Sequence, residues 1–240
     1  MAYLEYIDDQ HLITFVSEVL TNGLASKRDA EKKFHRNVID PFTTLFDAAI
    51  SGFDQVTWKE AETVRQYQKT LSNSIGNLHQ KILGHVNGWE DLGVGGEIDL
   101  KNDQAKIIAE IKNKHNTLTG GKLAGQYHNL AEKISKKASG YHGYTAYFVN
   151  IVPKKPNRSD IPFVPSDPST GSKVPSRDDV RIIDGASFYT LVTGREDALQ
   201  ELYDALPAVI EHSFEHVLGK GKITVKDVDD FKEYFKLAYK

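Results

Sequence analysis

The sequence predicts an α/β protein, a mixed central β-sheet flanked by helices with further helical elements at both ends. Three observations carry that expectation. Apolar residues recur at helical spacing through the first 85 positions, the pattern then shortens to strand lengths at "EIDL" and "KIIAEIKN", and strand, strand, helix and strand follow in order.

The helical elements come first. Asp9 precedes "QHLITFVSEVL", in which Leu12, Phe15, Val16, Val19 and Leu20 fall on one face. In "DPFTTLFDAAI" Asp40 is placed to cap a helix and Pro41 to occupy its first position, where a missing N–H does no harm. Thr57 and Glu60 form a capping box, which predicts a long helix running to about Gly84.

Next, "EIDL" and "KIIAEIKN" are separated by the turn formers Asn102 and Asp103, which predicts a β-hairpin. After Gly120 and Gly121, "KLAGQYHNLAEKISKKA" reads as an amphipathic helix, and "YTAYFVNIV" as a buried strand ended by Pro153. Residues 153–179 hold six of the eight prolines without periodicity, so a long functional or disordered loop is expected there. "DVRIIDG" is a further strand. "ASFYTLVTG", "REDALQELYDALPAVIEHSFEHVL" and "TVKDVDDFKEYFKLAYK" follow as helices, the last capped by Thr224 with Val228, Phe231 and Phe235 on its apolar side.

At 240 residues, with 40% hydrophobic and 26% charged side chains, the chain suits one compact domain. Within it, 1–85 is a helical region whose long helix packs on the α/β core of 86–240. No apolar run is long enough to span a bilayer, and "MAYLEYIDDQ" is acidic where a leader would be basic, so a soluble, cytoplasmic protein without a membrane partner is expected. The absence of cysteine excludes disulfides and thiolate metal sites. A formal net charge of -3 argues against indiscriminate nucleic-acid binding, so a DNA partner would have to meet local basic patches.

The hairpin carries the chemistry. Residues two apart on a strand share a face, so Glu110 and Lys112 project together, away from Ile107, Ala109 and Ile111. A turn centred on Asn102-Asp103 would add Glu97 and Asp99 to that face. Like charges so crowded raise one another's pKa, and a hard divalent cation would relieve them. This register sets Asp99 opposite Lys106, about 13 Å from Glu110, with Glu97 nearer. Either the strands bend to bring Asp99 in, or Glu97 shares the ion. The plain alternative is a solvated hairpin face with cross-strand ion pairs. Acid-x-Lys also occurs at Glu31, Asp99 and Asp230, but only Glu110 combines an alternating strand with an upstream acid.

Asp99 followed by Glu110-Ile111-Lys112 resembles the motif of the PD-(D/E)xK nucleases, with Ile98 in place of the usual leading proline. The resemblance implies a core of that fold, Mg2+ held at Asp99, Glu110 and Ile111, and Lys112 helping to position and activate the attacking water. "NSIGNLHQKILG" resembles the first core helix of many restriction endonucleases, which places Gln80 among the catalytic residues; Asn73 on the same helix face, and Glu97, would stand behind the metal ligands.

The whole chain resembles the type II restriction endonucleases that cut GGNCC. That implies Mg2+-dependent cleavage of double-stranded DNA after the first G of each strand, leaving 5'-phosphate ends, by a homodimer in a bacterial cytoplasm. A cognate methyltransferase would belong to the same system without being a stable partner. Lys114, His115, Asn116 and Thr117, directly after the catalytic strand, would hold phosphate or sugar. Lys154, Lys155, Arg158, Lys173 and Arg177 in the proline-rich segment would read guanines. Two other readings are a structure-specific repair or recombination nuclease of the same fold, and a DNA-binding protein without catalysis.

Overall fold

The computed structural model describes residues 2–34, 38–93, 95–96 and 98–239. Helix α1 (Asp9–Lys32) begins where the Asp8 carboxylate accepts the Gln10 N–H, and it buries Leu12, Phe15 and Val16. Helix α2 (Pro41–Ser51) is capped by Asp40 with Pro41 in its first turn, as its sequence predicts, and ends at Gly52 in the left-handed conformation. Helix α3 (Gln55–Gly84) ends where expected but starts earlier than the proposed capping box. Asp54, not Thr57, is the cap, its carboxylate accepting the Thr57 N–H at 2.8 Å. A charged acceptor at the positive end of the helix dipole outcompetes a hydroxyl.

The strands are β1 (Glu90–Asp91), β2 (Leu100–Asn102), β3 (Ile107–Lys114), β4 (Thr145–Val152), β5 (Asp160–Pro162), β6 (Ser166–Asp167), β7 (Ser172–Lys173) and β8 (Val180–Asp184), with helix α4 (Gly120–Ser135) between β3 and β4. Six of them form one mixed sheet in the order β1-β2-β3-β4-β8-β5. β3, β4 and β8 are parallel, and β1, β2 and β5 pair antiparallel with their neighbours. Helices α5 (Gly185–Thr193) and α6 (Ala198–His212), a π-helical turn (Ser213–Val217) and helix α7 (Val228–Ala238) complete the chain. Asp227, not Thr224, precedes α7, and it makes no side-chain capping bond.

Two apolar layers cover the sheet. Ala109, Ile111, Tyr147, Val149 and Ile183 pack with Leu12 of α1, Leu78 and Ile82 of α3 and Phe188 of α5. Ile108, Ala146, Phe148 and Val180 face the other way, against Ala124, Tyr127 and Leu130 of α4. Alternation along β3 and β4 therefore assigns each side chain to one layer. Gly185 links β8 to α5 where nothing larger fits: a Cβ there would lie 2.3 Å from the Ile151 carbonyl oxygen of β4.

Two expectations need correction. The proline-rich segment is not an unpacked loop, for it contributes β5 to the sheet edge and the β6–β7 hairpin. Its Phe163 stacks on Phe148 at 4.9 Å and Val174 is buried. These strands are only two or three residues long, too short to show a period. The main hairpin also turns later than Asn102-Asp103. Its connection is Asp103–Lys106, with Lys106 at φ +53° and the Asn102 side chain accepting the Ala105 N–H.

Candidate active site

That later turn decides the geometry of the acids. Leu100 pairs with Ala109 and Asn102 with Ile107, four positions away from the register expected of a tight turn. Asp99, immediately before this ladder, is thereby brought to Ala109 and Ile111 rather than to Lys106. The Asp99 N–H donates to the Ala109 carbonyl at 2.9 Å, and its Oδ2 accepts the Ile111 N–H at 2.6 Å. The bend allowed for above is present: Asp99 lies at a bend just before β2, and both it and Leu100 face Ala109. Glu97, the alternative acid, lies outside the described residues.

Glu110 is 7% exposed, and its carboxylate pairs with the Lys112 ammonium two residues on. Asp99, Glu110, Ile111 and Lys112 line one cavity of about 290 Å³, whose other wall is the α3 face carrying Asn73 and Gln80. Open α/β sheets bind ligands at the carboxyl ends of their parallel strands, which is where this cavity lies. Lys112 is in register with Asn150 of β4, and Asn150 with Asp184 of β8, so a polar row crosses the three strands just beyond the layer covered by α4.

Gln80 is buried, and its amide nitrogen donates to Asp91 Oδ1 at 2.7 Å and to the Gly93 carbonyl at 3.3 Å. Asp91 is the acid that sequence reasoning missed. It stands on β1 opposite Leu100, near enough to Asp99 for its charge to add to the burial that raises the pKa of that carboxyl. The approach of α3 to β1 is so close that a Cβ at Gly84 would lie 2.5 Å from the Asp91 Cβ. Asn150 was also missed, although one polar residue within "YTAYFVNIV" was a visible signal. It is buried, and among the described residues its Oδ1 has no hydrogen-bond partner. Asp184 has a structural task, its two oxygens accepting the Ser187 and Ser159 N–H groups at 2.9 and 2.6 Å.

The donor set suits a hard cation. Two carboxylates and a main-chain carbonyl are available, since the N–H and C=O of one strand residue point to the same side and the Ile111 N–H points to Asp99. Among the described residues no three His, Cys, Asp or Glu side chains cluster as a metal cage. Such a sparse set fits Mg2+, which keeps several waters and takes one or two carboxylates. His212 and His216, with rings 4.7 Å apart, stand outside this arrangement.

Burial pushes the Asp99 carboxyl above the ordinary aspartate value and Asp91 adds to this, opposed by the Ile111 N–H and Lys112. A raised folded pKa means that the unfolded chain releases this proton more readily. Ionised Asp99 therefore weakens the metal-free fold, fully above its raised pKa and less as pH falls towards the ordinary value. Asp99→Asn, which keeps an acceptor for Ile111, should melt at a higher temperature than wild type in EDTA at pH 8, the gap narrowing as pH falls to 4. A lower melting temperature at pH 8 would contradict this account.

The expected DNA-binding residues divide. Thr117 lines the acid cavity, and its hydroxyl donates to the Lys114 carbonyl at 2.6 Å, closing the turn that holds Lys114, His115 and Asn116. His115, Lys154, Lys155 and Arg158 line a second cavity, of about 440 Å³, together with Asn150. Lys154 and Lys155 are exposed there. The Arg158 guanidinium instead donates to Thr190 Oγ1 and the Glu196 carbonyl at 2.9 and 2.6 Å. Arg177 grips Asp179 through two 2.7 Å bonds and also Ser135, while Lys173 sits on the β6–β7 hairpin; neither lines these two cavities.

Comparison with known proteins matches residues 4–215 to the model of the Eco47II restriction endonuclease family. The chain is 52% identical over 240 residues, the whole of both proteins, to the type II restriction enzyme Eco47II of Escherichia coli. It is 35% identical over 214 residues to the type II restriction enzyme Sau96I of Staphylococcus aureus, covering 87% of this chain and 80% of that relative.

Proposed function

Because the chain belongs to the Eco47II restriction endonuclease family, and is a site-specific type II endonuclease acting on double-stranded DNA, we propose that Asp99, Glu110 and Lys112 form its hydrolytic centre and work with Mg2+. One observation supports this above the others: Asp99, tied to the Ile111 N–H, lines one cavity with Glu110 and with the lysine beside it.

Held by Asp99, Glu110 and the Ile111 carbonyl, Mg2+ would supply the positive charge that polarises a phosphate oxygen and acidifies a water. The chain supplies the rest. The Ile111 N–H fixes the Asp99 carboxylate, and Gln80 fixes Asp91 behind it. Lys112 orients the attacking water and places an ammonium where negative charge grows on the phosphate. Water oxygen bonds to phosphorus in line as the P–O3' bond breaks, so the 3' oxygen leaves and the phosphate stays on the 5' end. Lys114, His115, Asn116 and Thr117 hold the flanking backbone, and Lys154 and Lys155 reach guanine O6 and N7 in the major groove.

The target in this reading is a palindrome of the GGNCC kind, cut after its first G. Each chain carries one such centre, so two copies serve the two strands. Work in the bacterial cytoplasm alongside a protecting methyltransferase completes the proposal. Incubating a plasmid of known sequence with the protein and Mg2+, then sequencing the ends, tests it. Discrete fragments with 5'-phosphates at GGNCC sites are expected, and ends at other sequences would overturn the assignment of the site.

A further inference from the structure

We propose that the outward face of α2 is the surface on which a second copy of this chain docks. The inference deepens the two-copy reading above and rests on it. Helices of globular proteins turn their apolar stripe towards their own core, and α2 does the reverse. Thr44, Asp47 and Ala48 are its partly buried positions, and Asp47 ties it to α3 by accepting from Trp58 Nε1 and Arg65 at 2.9 and 3.0 Å. Phe42, Leu45, Phe46 and Ile50 lie on the opposite side, 75%, 71%, 71% and 84% exposed. None of the residues of α2 is buried. Val38 and Val56, at 101% and 61% exposure, extend the patch at either end.

Charge and size narrow the occupant. Residues 38–56 contain three aspartates and no lysine or arginine, so they repel DNA and an anionic membrane. The stripe itself is uncharged, so two identical stripes meet without like-charge repulsion, as a two-fold interface requires. Its side chains offer on the order of 800 Å² per copy, the area that a standard interface covers. A palindrome cut on both strands by a chain with one centre calls for a partner identical to itself.

Sedimentation velocity of the full chain at about 10 µM, without metal or DNA, tests this with Leu45→Asp and Phe46→Asp. Neither residue supports the core, and far-UV circular dichroism checks that the helices remain. Wild type should run at the mass of two chains, and each variant should self-associate at least tenfold more weakly. A one-chain wild type overturns the proposal, including one that instead binds phosphatidylcholine vesicles through this stripe. So do variants that keep the two-chain mass. The measurement contains no cleavage step, so it fails independently of the hydrolytic assignment, which the Lys112 variant tests.

Discussion

Lys112→Ala should lose cleavage by a factor on the order of 10²–10⁴, while its affinity for target DNA changes by less than about threefold. The asymmetry follows from the position of the ammonium. It pairs with Glu110 inside one cavity, whereas the exposed Lys154 and Lys155 line another, so in the proposed mechanism its removal takes charge from the reacting phosphate and little from the DNA contacts. The acids remain, and the loss of a neighbouring cation makes them no poorer as metal ligands. Single-turnover cleavage in Mg2+ and filter binding in Ca2+ separate the two quantities. The loss should fall on the rate at saturating enzyme; cutting at the wild-type rate would dismiss this hydrolytic centre.

Gly185→Ala should cost the fold about 3 kcal/mol or more, read from urea denaturation. The added Cβ would lie 2.3, 2.7 and 2.9 Å from the oxygen, Cα and carbonyl carbon of Ile151. Those atoms belong to a strand hydrogen-bonded on both sides, so they cannot yield as a flexible side chain would. To make room, α5 must lift from the sheet, which pulls Asp184 from the Ser187 and Ser159 N–H groups. Gly125→Ala provides the contrast. That exposed position within α4 has nothing within 4 Å of a new Cβ, so alanine there should stabilise by about 0.5–1 kcal/mol. Equal stabilities for the two variants would refute the close-approach argument.

Much of the fold was legible because long elements announce their period. The alternation in "KIIAEIKN" placed Glu110 and Lys112 on one face and their apolar neighbours on the other, and the structure divides them in the same way. The pairing register was not legible. Asn102-Asp103 is favourable turn chemistry, whereas the connection that forms puts Lys106, a residue type that seldom signals it, in the left-handed region. That difference, together with the bend at Asp99, accounts for the gap expected between Asp99 and Glu110. Asp91 stayed hidden because β1 has two residues and its importance arises only from α3 packing against it. The basic residues of the proline-rich segment looked equivalent in sequence, yet Arg158 and Arg177 are committed to internal partners and Lys154 and Lys155 are exposed.

Helix α3, 30 residues long, acts as a rod of about 45 Å. Near one end, Trp58 and Arg65 fasten it to Asp47; at the other, Gln80 and Gly84 bear directly on Asp91. Glycine at the contact leaves no compressible side chain between the rod and β1. A displacement of α3 along its own axis therefore carries Asp91 with it.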